Sequence, residues 1–545
     1  MQIPKKNYVL LLVLTCLAIF FVNLDALYVN IMEARNFITA REMLIDGNWL
    51  LTTFNGEPRY QKPPLPTWLT AISAGIFGLK SLFALRLPAA IVTVVLVLST
   101  FKFLTKLTRR RSFAFIAALI LSTSFYIVFA GRNGQWDIFT HAFMMVCIYN
   151  LYLLFERSNK NYKYAIIAGL FFGLSFMSKG PVSLYALLLP FLISYGIVFK
   201  FRNLKDKWFP LLGFLIIAFV LSGWWHWYTL TFDSTAASAI TQKEATNWLN
   251  YEVKPFYYYW SFFTQSGIWT IPAFISLLYP YLKDKVFNKK AYLFTFLWTV
   301  IAVVLLSIIP EKKSRYLLPV LIPLAMNTGF YIEYLFRKFH DFSDKKEKIP
   351  VYFNFGLIAT IGLIFPIAGY FFLKNGLEGK MFWFVSLSIV LFIIGILMWR
   401  YLLRKKIKRV FYLNIFFIAA IIVLGMPLAK AVTINPEYKG LDNLNVWQEK
   451  TELPVFEFAS VAPELIWAYG NKMNIIKNGD SINIPNLSKF GVTVSEDDKI
   501  SFRDIFKDYK LDSITRYDMN AKGRDDRSHK TRLYRDFFLV TKKEK

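Results

Sequence analysis

The chain has 545 residues, 55% of them hydrophobic and 18% aromatic, with a mean hydropathy of +0.39. That composition excludes a soluble globular domain and indicates a multi-spanning membrane protein. The formal net charge of +28 is dispersed among short polar stretches between apolar runs, which argues against nucleic acid as a partner.

Crossing the hydrocarbon core takes about 20 apolar residues. Runs of suitable length lie near 8–24, 84–104, 113–130, 138–155, 164–178, 181–199, 209–230, 258–281, 291–309, 316–335, 351–373, 381–401 and 411–431. They predict about thirteen membrane helices, the fifth and sixth being short. The first run follows Lys5 and Lys6 with no small-x-small cleavage pattern behind it, so it is read as a retained anchor. A further apolar run at 65–79 is broken by prolines and is read as interfacial. Cys16 and Cys147, the only cysteines, both fall inside predicted spans, which leaves no disulfide framework or thiolate metal site.

Threading thirteen spans puts seven polar stretches on the side of the N-terminus, and all are basic, among them Arg109 to Arg111, Arg157 with Lys160 and Lys163, Lys200 with Arg202, and Arg404 to Lys406. The positive-inside rule assigns that side to the cytoplasm. The loop at 25–83, the loop at 231–257 and the tail from 432 then face outward. The chain divides accordingly into a membrane domain, 1–431, and a polar tail, 432–545. The tail mixes strand-like runs (LPVFEF at 453–458, VTV at 492–494, FFLV at 537–540) with a helical pattern (APELIWAYG at 462–470), and reads as a small extracytoplasmic α/β domain capping the bundle.

The predicted spans hold almost no carboxylates: Glu333 lies near a helix end and Asp137 just ahead of its span. Ion-coupled transporters use intramembrane acids as relays, so this pattern argues against transport. The polar groups gather instead in five outward segments: the 25–83 loop, GRNGQWD at 131–137, MSKGP at 177–181, QKEATNW at 242–248 and PEKKSRY at 310–316. Arg132, Lys179, Lys312, Lys313 and Arg315 stand on the side where basic residues are normally scarce. Together with Arg35 and Lys62 they suggest a binding site for a lipid phosphate, whose charge guanidinium and ammonium groups complement.

The stretch EARNFITAREMLIDGNWLLTTFNGEPRYQKPPLPTWLTA at 33–71 resembles the first outer loop of the bacterial 4-amino-4-deoxy-L-arabinose lipid A transferases and the related protein O-mannosyltransferases, which are GT-C glycosyltransferases. GRNGQWD, GLSFMSKGPVSL at 173–184, WWHWY at 224–228 and SIIPEKKSRYLLPVLIP at 307–323 follow in the same order, so the resemblance covers roughly 8–330. It implies a polytopic α-helical bundle whose first loop carries amphipathic helices. It also implies an inverting transfer of a sugar from a polyprenyl-phosphate donor, with a first-loop carboxylate as base and cations stabilising the leaving phosphate. No nucleotide-type phosphate loop is present.

Two positions depart from that pattern. Met32 stands where the family has the Asp of an Asp-Glu pair, and Gln61 replaces an acid associated with a metal. Glu33 is then the first candidate base, Asp137 the second and Asp25 the third. No cofactor is required, and a divalent metal is left open. Arg35, Lys62, Arg132, Lys179, Lys312, Arg315 and Tyr316 are the candidate ligands of the donor phosphate, with Pro63 and Pro64 expected to hold Lys62 on an extended backbone. His226 and its tryptophans fit an interfacial aromatic belt equally well. The resemblance favours a plasma- or inner-membrane enzyme that transfers 4-amino-4-deoxy-L-arabinose or a hexose to lipid A or another envelope glycolipid. A protein O-glycosyltransferase and a non-catalytic lipid-binding or lipid-flipping protein are the alternatives.

Overall fold

The computed structural model describes residues 7–156, 161–201, 204–433 and 435–543. Lys5, Lys6, Arg157, Lys160 and Arg202 of the basic stretches lie outside them. The chain runs through α1 (Tyr8–Phe20), α2 (Ile31–Asp46), the two-residue strands β1 (Thr53–Phe54) and β2 (Glu57–Pro58), α3 (Leu65–Phe77), α4 (Leu82–Thr108), α5 (Arg111–Thr123) and α6 (Phe125–Gly131). Then come α7 (Asp137–Glu156), α8 (Tyr162–Lys179), α9 (Leu189–Phe199), α10 (Trp208–Phe232) and α11 (Ser234–Asn250).

Among the described residues, seven helices are long and apolar enough to cross a membrane, or eight if α5 and α6, bent by 68° at their junction, form one span. These include α4, α7 and α10, whose 20 to 27 residues exceed the length that hydrocarbon demands. Other predicted spans are shorter or broken. The first is a 13-residue helix, and the segment expected at 258–281 is a series of short helical turns kinked at Gly267.

The 25–83 loop is ordered by its ends. Asn30 and Glu33 form a reciprocal capping box that starts α2, and Glu33 continues into a buried ion pair with Arg86 of α4: Nε donates to Oε1 at 2.7 Å and Nη2 to Oε2 at 3.0 Å. The same guanidinium donates to the carbonyls of Leu24, Leu27 and Tyr28, and Gly134 N–H donates to Glu33 Oε1 at 3.0 Å. Asn36, one turn on, bonds Thr67 and Thr70 of α3 and the Gly134 carbonyl. The 131–137 turn fits this closely because Gly134 has no side chain: a Cβ there would lie 2.3 Å from the Phe37 ring.

Between α2 and α3, an Asn55-Gly56 turn with φ of +55° and +84° joins β1 to β2, the backbone that a tight hairpin requires. Glu42 of α2 accepts from Asn55 N–H (2.7 Å), Gly56 N–H (3.2 Å) and Thr53 Oγ1 (2.5 Å), so the hairpin is fixed to the helix.

The C-terminal region carries a five-stranded mixed sheet. Its strands are β3 (Val455–Glu457), β4 (Asn474–Ile475), β7 (Lys489–Val494), β8 (Tyr509–Asp518) and β9 (Tyr534–Lys542), ordered β4-β3-β7-β9-β8, with a separate pair β5 (Lys477–Asn478) and β6 (Ser481–Ile482). LPVFEF, VTV and FFLV lie in or around β3, β7 and β9, and the helix Pro463–Tyr469 lies within APELIWAYG. One apolar layer beside the sheet includes Leu465, Ile466 and Phe537 and extends to Ala34 and Ile38 of α2. Arg41 of α2 donates to the carbonyls of Ile466 and Asn471, while Asn55 and Met473 exchange two 2.8 Å hydrogen bonds. The first loop therefore sits between the helical bundle and the sheet and is bonded to both.

Arg86→Ala leaves the enclosed Glu33 carboxylate without its counter-charge, and losing one member of a buried pair costs about 3–5 kcal/mol. The variant is expected to show a clearly lower unfolding midpoint in detergent. An unchanged midpoint would show that the pair does not hold the loop.

Candidate active site

All five polar segments identified in the sequence line one cavity of ≈ 710 Å³. The first loop supplies Met32, Arg35, Glu57, Arg59, Gln61 and Lys62; Trp136 and Lys179 come from the next two segments; α11 gives Lys243, Glu244 and Asn247; and the fifth segment gives Glu311, Lys313, Arg315 and Tyr316. Seven cationic side chains thus face three carboxylates. Such an excess of cations in a partly enclosed space is complementary to an anion, above all one able to accept several hydrogen bonds.

The cations are held in place rather than left to water. Lys62 precedes the start of α3 and pairs with Glu244 at 3.2 Å, both side chains about a third exposed. Pro64, expected to be extended, has φ −86° and ψ −6° and begins the helix, so the backbone turns immediately after Lys62. Arg59 donates to the Arg35 carbonyl (2.5 Å) and Thr39 Oγ1 (2.6 Å) and lies 4.9 Å from the centroid of the Trp136 ring. Burial and then the nearby Arg35 push Arg59 down to about 9, and burial and then Arg315 hold Arg35 below its ordinary value. Crowding of this kind is relieved when an anion enters.

Lys179, at the end of α8, pairs with the buried carboxylate of Asp137 at the start of α7. It also lies 5.1 Å from the centroid of the Tyr316 ring. Among the described residues, the second Asp137 oxygen and Arg315 Nε have no hydrogen-bond partner. Glu311 accepts from Lys313 Nζ (2.6 Å) and the Tyr316 hydroxyl (3.0 Å), fixing the fifth segment against the cavity.

The family model for dolichyl-phosphate-mannose-protein mannosyltransferases matches residues 61–227. An uncharacterized protein of Aquifex aeolicus is 27% identical over 304 residues, covering 54% of this chain and 57% of that protein. The undecaprenyl phosphate-alpha-4-amino-4-deoxy-L-arabinose arabinosyl transferase 1 of Proteus mirabilis is 25% identical over 384 residues, covering 67% of this chain and 65% of its own. The chain thus spans less than two thirds of the length of these curated relatives. Its fold matches the crystal structure of ArnT from Cupriavidus metallidurans bound to undecaprenyl phosphate over 98% of both chains, with a TM-score of 0.69 and 15% identity. The chain is similar to these transferases in sequence and to the ArnT structure in fold.

Of the expected site residues, Arg35, Lys62, Lys179, Arg315 and Tyr316 line the cavity, while four others stand elsewhere. Glu33, the expected base, is fully buried and does not line the cavity; Asn30, Arg86 and Gly134 occupy its oxygens, and its partner is Arg86 rather than Arg35. In this arrangement it anchors the loop and has no face toward a substrate. Arg132 is likewise not a phosphate ligand here, because its guanidinium donates to the carbonyls of Ile19, Val22 and Asn23 at the end of α1. Lys312 gives its ammonium to the carbonyls of Lys254, Ile309 and Pro310 and does not line the cavity. Asp25 is exposed and outside the lining.

Asp137 reaches the cavity only through Lys179, and His226 packs against Phe176 and Trp225. Among the described residues no group of three or more His, Cys, Asp or Glu side chains could hold a metal ion; with Gln61 neutral, the side chains present do not fit one.

The lining residues Arg59, Glu57, Glu244, Glu311 and Tyr251 were not singled out from sequence. Arg86 was missed too, although an arginine inside an apolar run is itself a signal.

Arg132→Ala should strand three carbonyls at a helix end, at about 1–3 kcal/mol for each group left unsatisfied. Lower thermal stability with unchanged binding of a phosphate-bearing lipid is expected. Weakened lipid binding at unchanged stability would return Arg132 to the site.

Proposed function

We propose that this chain is an integral-membrane glycosyltransferase of the GT-C type. It would take a sugar from a polyprenyl-phosphate donor at the outer face of the membrane and pass it to lipid A or another envelope glycolipid. The observation that carries the reading is the single cavity in which Arg35, Arg59, Lys62, Lys179 and Arg315 converge from three separate chain segments. The match to a fold solved with undecaprenyl phosphate supports the donor, and the similarity to the arabinosyl transferase of Proteus mirabilis supports 4-amino-4-deoxy-L-arabinose as its sugar. The reading carries thirteen crossings, with the basic stretches cytoplasmic and the first loop, the cavity and the C-terminal sheet outside.

In this reaction the bond from the anomeric carbon to the phosphate oxygen breaks as the acceptor oxygen forms a new bond to that carbon. Negative charge grows on the departing polyprenyl phosphate, where Lys62, Arg35 and Arg315 stabilise it. Asp137 acts by holding Lys179. When the acceptor is a hydroxyl, its proton passes to a cavity carboxylate, for which Glu244 beside Lys62 is best placed. An acceptor phosphate is already anionic and needs no base.

The Lys62–Glu244 pair is the state before the donor enters, with the carboxylate occupying the place of the incoming phosphate. Lys62→Ala is therefore expected to weaken undecaprenyl phosphate binding at least tenfold. Glu244→Gln removes a partly exposed competitor worth about 0–1 kcal/mol, and should tighten the same binding by up to about fivefold. Lys62→Ala with wild-type affinity would refute the phosphate site. The activity itself is tested by mass spectrometry of a polyprenyl-phosphate sugar incubated with protein and lipid A. Free polyprenyl phosphate together with a heavier acceptor is expected; binding without turnover would make the chain a lipid-binding protein.

A further inference from the structure

A second cavity, of ≈ 740 Å³, lies between the β1–β2 hairpin and the C-terminal sheet region, and it shares Phe54, Glu57 and Lys243 with the first. The hairpin thus stands between two adjoining spaces. Glu42 holds it from one side and Asn55 ties it to Met473 on the other, so the shape of both spaces depends on the docked C-terminal region.

We propose that this second cavity is the docking groove for the acceptor, and that it takes an anionic glycan headgroup; the proposal rests on the transferase reading above. Three features point that way. Lys243 and Lys477 face a single carboxylate, Glu57, so the lining is net cationic. Lys477 is oriented by a 3.0 Å bond to Ser501 Oγ, leaving further ammonium donors for a ligand. The rest of the wall combines Ser460 and Asn478, which carry sugar-type hydrogen-bonding groups, with apolar Val461, Ile466 and Ile475, the mixture that a carbohydrate ring with polar edges and apolar faces requires. Because the two cavities share lining residues, a headgroup seated here lies next to the donor cavity. The C-terminal region then contributes acceptor choice as well as a cap.

The two native thiols, Cys16 and Cys147, are buried, so Asn478→Cys gives one reactive position on the groove. An environment-sensitive fluorophore attached there, in the full-length protein in detergent, is titrated with phosphorylated lipid A and with its dephosphorylated form. A saturable response at least tenfold tighter for the phosphorylated lipid is expected. Lys477→Glu in the labelled background should weaken it at least tenfold, and Lys477→Gln by less, with undecaprenyl phosphate binding unchanged in both. Equal responses to the two lipids, no response, or indifference to both Lys477 substitutions would overturn the groove. A response to a serine- and threonine-rich peptide instead of lipid A would overturn the glycan assignment. Because the readout is binding, transfer activity without groove binding refutes this proposal alone, whereas groove binding without transfer refutes the transferase reading.

Discussion

The buried ion pair between Glu33 and Arg86 is the constraint on which the outer half of the structure depends. Two charges out of water are expensive, and their attraction compensates only when the remaining donors and acceptors are also satisfied. Here they are: the carboxylate takes up Asn30 and Gly134 as well as Arg86, and the guanidinium takes up three carbonyls of residues 24–28. One pair therefore joins the end of the first helical segment, the start of α2, the interior of α4 and the 131–137 turn. Because Arg35 follows Glu33 by two residues, fixing the carboxylate also fixes the guanidinium that lines the cavity.

The cavity follows the opposite rule. Its cations outnumber its carboxylates, and beyond the effect of burial Arg315 disfavours the charge on Arg35 and Arg35 that on Arg59. A structural cluster would be expected to neutralise itself, as Glu33 and Arg86 do. A cluster left cationic in a partly enclosed space stores an electrostatic demand that an anionic ligand meets. The same principle separates the residues of this face: Arg132 and Lys312 are satisfied by carbonyls and belong to the scaffold, whereas Lys62 is held by one exchangeable carboxylate.

Much of this was legible in the chain because hydrocarbon is unforgiving. Charged residues excluded from apolar runs collect in the connecting segments, and all five segments marked by that criterion line the cavity. Which cation does which job was not legible. Arg132 and Arg315 look alike in sequence, and only tertiary placement gives the first three carbonyl acceptors and leaves the second facing the cavity. The assignment of Glu33 failed for a similar reason: a carboxylate three residues after Asn30 is also what a capping box uses, and its partner Arg86 is 53 residues away. The Asn55-Gly56 turn did carry a hairpin signal, but neither Glu42 nor Met473, which hold the hairpin, is local to it.

The most direct measurement is a double-mutant cycle on Glu33→Gln and Arg86→Gln, followed by thermal stability, undecaprenyl phosphate binding and sugar transfer. If the pair is structural, the two positions should couple by about 1–3 kcal/mol, and the double variant, which buries no unpaired charge, should recover stability, binding and turnover relative to Arg86→Gln alone. A double variant that is as stable as the native protein and binds the lipid normally, yet transfers no sugar, would contradict the account and make Glu33 the catalytic base.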